Sequence, residues 1–340
     1  MASGATMHLA VSLFPESALS PPSDAGLDFS LLAQFVQKAE AAGLDMVLLA
    51  DSALVSGGDA PNRQLPFEAT TLLAALGTVT SRIGLVAAAS TVAHQPYNLA
   101  RRFASLDIIS HGRSGWNATM MPDPREAADF SRPEGFSRDD FRRRAEEFIG
   151  IVQGLWRGWD ADALLFDKSG GRFFDPKKMH LLDHKGEYFS VRGPLNVARS
   201  PQDTPVLVMS GLSEPDIEIA ARFADVILLD EPSVAGAKAD DLMRRALAFG
   251  RGPGTMKVLM NVAPGSETAA RPDLIADRLE ETFRSKNCDG FTILMPPVLS
   301  VLNDFVDHVL PELRRRGLVR PDYRDATLRS HLGLAGDEGQ

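Results

Sequence analysis

Short, continuously apolar runs alternate with longer amphipathic stretches along almost all of the 340 residues, and no other feature constrains the fold as much. Met46, Val47, Leu48 and Leu49 form one such run, too apolar throughout for a strand with one wet face. Strands buried on both faces pair in parallel and need helical crossovers to cover them. The runs read as strands over 7–14, 45–50, 83–89, 113–117, 206–210, 226–229, 257–262 and 290–294. Helical spacing follows over 29–42, 65–80, 97–110, 141–156, 214–223, 237–249, 274–285 and 302–316. Eight strand–helix units in one α/β chain predict a closed (β/α)8 TIM barrel. An open doubly wound sheet would carry a glycine-rich turn after its first strand. Here Phe14 is followed by Pro15, Glu16 and Ser17.

The rhythm breaks once, over 158–203, a stretch rich in Gly, Asp, Lys, Arg and Pro. It reads as an insertion after helix four, with Tyr188, Phe189 and Val191 as a short strand. Residues 322–340 read as a polar C-terminal tail, so 1–340 is expected to be one barrel domain. The net charge of -9 argues against a nucleic-acid surface, which needs clustered positive charge. No apolar run approaches the ~20 residues needed to span a bilayer. The first ten residues lack the basic and apolar segments of a signal peptide, and the expectation is a cytoplasmic protein. The single cysteine, Cys288, excludes an intrachain disulfide and thiolate-rich metal sites, and reads as a buried thiol.

In a barrel the chemistry gathers where the strands end. Those positions hold Asp51 and Ser52, Ser90 and Thr91, Asn117, the turn Ser210-Gly211-Leu212-Ser213, Asp230 and Glu231, Asn261 and Met295. Asp51 reads as a ligand anchor or as a cap of the next turn. The amide of Asn117 donates and accepts at once, which suits a heterocycle edge or a loop contact. Small residues from Ser210 to Ser213 leave N–H groups and hydroxyls facing a helix start, an arrangement that receives anions. His94 is the one histidine near a strand end and the one candidate for a catalytic role. His180 and His184 have a metal-compatible spacing but lie in the polar insertion and read as surface histidines. The turn at Gly250–Gly254 lacks the Lys-Ser/Thr of a phosphate loop. The runs 142–144 and 314–316, all arginine, read as solvated helix faces. With hydroxyls, amides and no metal cluster, such a site suits a cofactor that brings its own reactivity.

Longer segments then point to a family. The stretch from Pro96 to Asp107, followed by Ser110-His111-Gly112-Arg113-Ser114-Gly115-Trp116-Asn117, resembles the bacterial-luciferase-like flavin monooxygenases. The branch it resembles holds nitrilotriacetate and dibenzothiophene-sulfone monooxygenases. Arg144-Ala145-Glu146-Glu147-Phe148, the stretch from Asp183 to Asn196, and Val309-Leu310-Pro311-Glu312-Leu313 agree in order. The resemblance implies a barrel that binds reduced FMN (FMNH2), supplied by a separate NAD(P)H-dependent flavin reductase. O2 would react to a flavin C4a-(hydro)peroxide, which oxygenates a small organic substrate. It implies Asp51 and Thr91 beside the flavin ring with Ser90 and Asn117 close by, and Ser210, Gly211 and Ser213 at the phosphate. It also implies a homo-oligomer, a dimer or tetramer.

The departures are specific. Where the family has His and Tyr four apart before the Arg-Ala-Glu-Glu-Phe helix, this chain has neither, and Arg138 and Arg142 stand as replacement phosphate partners. The turn has Leu212 where the family favours a small polar residue. The family's insertion after strand seven, which covers the site, is shortened here to the stretch between Val262 and Asp273. Two alternatives stay open at this point: a flavin-binding barrel with lost or reduced oxygenation, and a deazaflavin-dependent oxidoreductase.

Overall fold

Eight parallel strands hydrogen-bond edge to edge until the last meets the first. The computed structural model describes residues 6–13, 28–49, 67–120, 130, 135–230, 232–263, 271–285, 288–323 and 325–334. The barrel strands are β1 (His8–Leu13), β2 (Met46–Leu49), β3 (Gly84–Ala88), β4 (Ser114–Thr119), β9 (Val206–Ser210), β10 (Val226–Leu229), β11 (Lys257–Val262) and β12 (Gly290–Met295). β5 (Leu164–Asp167) pairs with β6 (Arg172–Phe174), and β7 (His184–Lys185) with β8 (Ser190–Val191), as two small hairpins within the insertion. Closure runs in register from His8 against Gly290 to Leu13 against Met295.

The helices that position the site are α1 (Phe29–Ala41), α2 (Ala69–Val79), α3 (Pro96–Ile109), α4 (Arg138–Trp156), α5 (Ile217–Phe223), α6 (Pro232–Ala248) and α7 (Pro272–Arg284). Helix α4 starts three residues before its apolar periodicity because Ser137 accepts the Asp140 N–H and Asp139 and Asp140 favour the positive helix end. The helix expected over 214–223 opens as a short 3-10 turn, Glu214–Asp216, before α5. The helix expected over 302–316 is α8 (Leu299–Asp304), a π-turn (Phe305–Val309) and α9 (Leu310–Arg315). Pro311 has no N–H to give the preceding turn, which accounts for the break in the ladder.

Side chains alternate along each strand. Leu9, Val11 and Leu13 face outward into the apolar layer that also holds helix residues such as Phe35 and Phe103. Ala10, Leu48, Val86, Val208, Leu228 and Leu259 fill the interior. The foot is closed by the segment read as a polar tail. Leu328 of α10 (Leu328–His331), with Leu332 and Leu334, joins the interior cluster. A Cβ on Gly84 would collide with Leu328 Cδ1, so the glycine that opens β3 is what admits this plug.

Carboxylates tie the foot together. Asp45, before β2, accepts the Leu9 N–H at 2.8 Å and pairs with Arg320. Asp225, before β10, accepts the Leu207 N–H at 2.8 Å and pairs with Arg329 at 2.9 Å. Asp289, before β12, accepts the Val258 N–H at 2.8 Å. Each acid fixes the start of the strand beside its own. Arg113 is fully buried and donates to the carbonyls of Gly77, Thr80, Ile83 and Ser110 and to the Thr80 hydroxyl. The arginine runs are not uniformly solvated. Arg144 is buried, and Arg316 is held by Asp277, Glu280 and Glu312.

Candidate cofactor site

Toward the C-terminal strand ends the inward positions turn from apolar to polar: Asn117 on β4, Ser210 on β9 and Asn261 on β11. The Ser210 hydroxyl donates to Asn117 Oδ1 at 3.0 Å. That contact orients the amide and leaves its Nδ2 hydrogens to donate into the mouth. Thr91 lies on the turn after β3, 1% exposed, and its hydroxyl is buried without a hydrogen-bond partner.

The turn that carries Thr91 is fixed from behind. Arg144 Nη1 donates to the Thr91 carbonyl at 2.5 Å. The guanidinium lies over the rings of Phe189 at 4.8 Å, Phe136 at 5.5 Å and Phe148 at 6.0 Å. Phe189 is brought there by Glu147, one helical step from Arg144. Glu147 accepts the N–H groups of Tyr188 and Phe189 and faces His184 Nε2 at 2.9 Å. Burial opposes its ionisation, but these hydrogen bonds win and hold the carboxyl below its ordinary value. Ser90 faces its own turn, where its hydroxyl accepts the Val92 N–H at 3.0 Å.

A second polar row crosses β10 to β12. Asn261 Nδ2 donates to Asp230 Oδ1 at 2.7 Å. Asn261 Oδ1 and the hydroxyl of Thr292, its register partner, are buried without partners. Position at the strand end singles out Asp230 and Asn261. Thr292 sits lower on β12 in an otherwise apolar run, and only the inward alternation could have flagged it.

His94 stands three residues after Thr91 on the same turn. Its Nδ1 is 2.9 Å from the Ser90 carbonyl and its Nε2 is 3.3 Å from Arg102 Nη1. It lines two open grooves, about 430 and 550 Å³, together with Thr70, Asn98 and Arg102 among others. Burial lowers its pKa and favours the neutral ring. Among the described residues, His94 lines these grooves together with Arg102.

In the turn expected to receive an anion, the Ser213 donors are already engaged. Gly211 has φ +66°, a left-handed conformation that glycine adopts without strain. Ser213 donates both its N–H, at 2.9 Å, and its hydroxyl to Asp216 Oδ2. Arg138 Nη2 lies 3.5 Å from the same oxygen, and Arg142 Nη1 reaches the Pro215 carbonyl at 3.4 Å. Helix α5 has only seven residues, so attraction for an anion here falls to the two arginines.

Asp51, Ser52 and Glu231 lie outside the described residues. Among the described residues no group of three or more His, Cys, Asp or Glu could hold a metal ion. His180 faces Asp160, while His184 faces Glu147. No described helix is long and apolar enough to cross a membrane.

With this geometry in place, the comparisons with known proteins agree. The model of the family described as luciferase-like monooxygenase matches residues 7–278. The N-acetyl-S-(2-succino)cysteine monooxygenase of Bacillus subtilis (strain 168) is 33% identical, over 92% of this chain and 91% of its own. The nitrilotriacetate monooxygenase component A of Aminobacter aminovorans is 34% identical, over 91% and 90%. The solved structure of a riboflavin lyase, with modified FMN and its substrate riboflavin, is similar at a TM-score of 0.84 and 26% identity, over 96% of each chain. A match that runs from the first strand into helix α7, on a closed barrel of the expected topology, settles the family: this chain belongs to the luciferase-like monooxygenases and is a flavin-dependent oxidoreductase.

Proposed function

We propose that this chain is the oxygenating component of a two-component system. It takes reduced flavin from a separate NAD(P)H-dependent reductase and uses O2 to oxygenate a small organic substrate. The observation that carries the reading is an oriented amide and an orphaned hydroxyl at the ends of neighbouring strands, β4 and β3. Asn117 is fixed by Ser210 with its donors left over, and the buried Thr91 hydroxyl lacks a partner. A flavin ring offers carbonyl oxygens and an N–H along one edge, which suits a donor beside a group that both donates and accepts. Leaving a buried hydroxyl unmatched costs about 1–3 kcal/mol, which a bound ring edge would recover.

When bound, flavin supplies the redox chemistry, and the protein supplies position and shelter. Asn117 and Thr91 orient the ring, and Arg144 keeps the Thr91 turn from moving. Asp51 belongs to this group by resemblance. The connection from β11 to α7 spans only 263–271, so exclusion of water, which oxygenation requires, rests on other elements.

An anaerobic titration with reduced and oxidised flavin, and with deazaflavin for comparison, tests the reading. Reduced flavin should bind preferentially. Asn117→Ala should weaken binding by roughly tenfold, the range of one net hydrogen bond. Preference for deazaflavin, or no flavin binding at all, rules the proposal out, and unchanged affinity in Asn117→Ala removes that residue from the site.

A further inference from the structure

A flavin held by its ring at the mouth, as proposed above, would direct its far end to the turn from Ser210 to Ser213. We infer that the Asp216 carboxylate occupies the place that a flavin phosphate would take, so that this chain holds flavin by its ring and does not favour FMN over riboflavin. The turn from Ser210 to Ser213 has the small residues and the left-handed glycine of an anion cradle. The Ser213 donors are not free. The Ser213 N–H and hydroxyl converge on one oxygen, Asp216 Oδ2. Arg138 approaches that same oxygen at 3.5 Å. Two hydrogen-bond donors and a guanidinium on one oxygen are the contacts expected around a phosphate oxygen. Asp216 is only 2% exposed, so it is built into the turn rather than lying loosely across it.

The flanking residues reinforce this. Pro215 contributes no N–H where an anion cradle would use one. Glu214 adds a second carboxylate to the turn and is drawn outward to Arg245 at 3.3 Å. Arg142 spends a donor on the Pro215 carbonyl. A phosphate dianion would therefore have to displace a buried carboxylate from its donors or sit beside it, and like charges at close range oppose both. The competing outcome is that Arg138 and Arg142 draw the phosphate in and Asp216 yields.

Equilibrium titration of the full chain with riboflavin and with FMN, oxidised and anaerobically reduced, separates these outcomes. The two flavins should bind the unmodified chain within about threefold of each other. Asp216→Asn keeps an acceptor for Ser213 and removes the charge. It should tighten FMN at least tenfold and leave riboflavin where it was. Arg138→Ala serves as the second variant, because it removes the neighbouring cation and leaves the Ser213–Asp216 hydrogen bonds in place. It should change the two flavins alike. The inference is overturned if the unmodified chain prefers FMN by tenfold or more. It is equally overturned if Asp216→Asn leaves the ratio unmoved, or if Arg138→Ala weakens FMN alone. If neither flavin binds, the flavin reading itself fails. Tight, phosphate-dependent binding leaves that reading standing and removes only this inference.

Discussion

At the foot of the barrel, Asp45, Asp225 and Asp289 each accept a strand N–H, the first two also face an arginine, and Leu328 seals the interior. At the mouth, the Thr91 hydroxyl and the Asn261 amide oxygen, and below them the Thr292 hydroxyl, are just as buried and have no partner. Single nitrogens of Arg320 and His331 also lack partners at the foot. Those side chains are bonded through their other nitrogens, Arg320 to the His331 carbonyl at 2.7 Å and His331 to the Asp325 carbonyl at 3.0 Å. A threonine hydroxyl has no second atom to fall back on. The foot is built to stay closed, and the mouth, beside its Ser210–Asn117 and Asn261–Asp230 contacts, leaves these three polar atoms unpaired. In a barrel, that division is the one expected between stability and chemistry.

Breaking the foot should hurt folding and spare recognition. Arg320→Met leaves the buried Asp45 carboxylate without its cation, a loss of about 3–5 kcal/mol where a buried pair is broken from one side. Denaturant unfolding should report that loss, while the folded fraction binds flavin as before. A cost under 1 kcal/mol would mean that the foot is not held by its ion pairs. Leu328→Ala should cost about 2–5 kcal/mol by opening a cavity beneath Gly84. If stability does not fall, the tail is a bystander and the barrel is closed by its strands alone.

The same division explains what could be read from sequence. The barrel strands are legible because parallel strands buried on both faces are continuously apolar, as Met46–Leu49 and Val226–Leu229 are. The plug is not, because Leu328 and Leu332 stand four apart in one short turn of helix among polar neighbours. Much of the most recognisable stretch, Ser110 to Asn117, turns out to build the foot. Arg113 gathers carbonyls there, the Ser114 N–H and hydroxyl bond Asp107, and of these residues Asn117 is the one that meets Ser210. Arg144 reads as one charge in a run of three, since nothing local shows that Phe136, Phe148 and Phe189 will surround it. Asp216 was visible in principle. Ser213 followed three residues later by an acid is a helix-capping pattern, and that competes with reading the same serine as an anion ligand.

The smallest effect is the sharpest test of the mouth, because its sign differs between two measurements. Thr91→Val replaces the buried, unpartnered hydroxyl with a methyl of similar shape. Without ligand, the variant should be more stable by about 1 kcal/mol, since an unsatisfied polar group has been removed. With flavin, it should bind less tightly by about 1 kcal/mol, close to a fivefold rise in Kd, because the ring edge loses one hydrogen bond. Thermal unfolding with and without riboflavin reads both signs in one experiment. A gain in stability without a loss in binding would place Thr91 in the packing and leave Asn117 to carry recognition. A loss in both would mean that the hydroxyl already has a partner in solution, such as a bound water. Only the crossed result, stiffer alone and weaker with ligand, marks a hydroxyl held in reserve for the flavin.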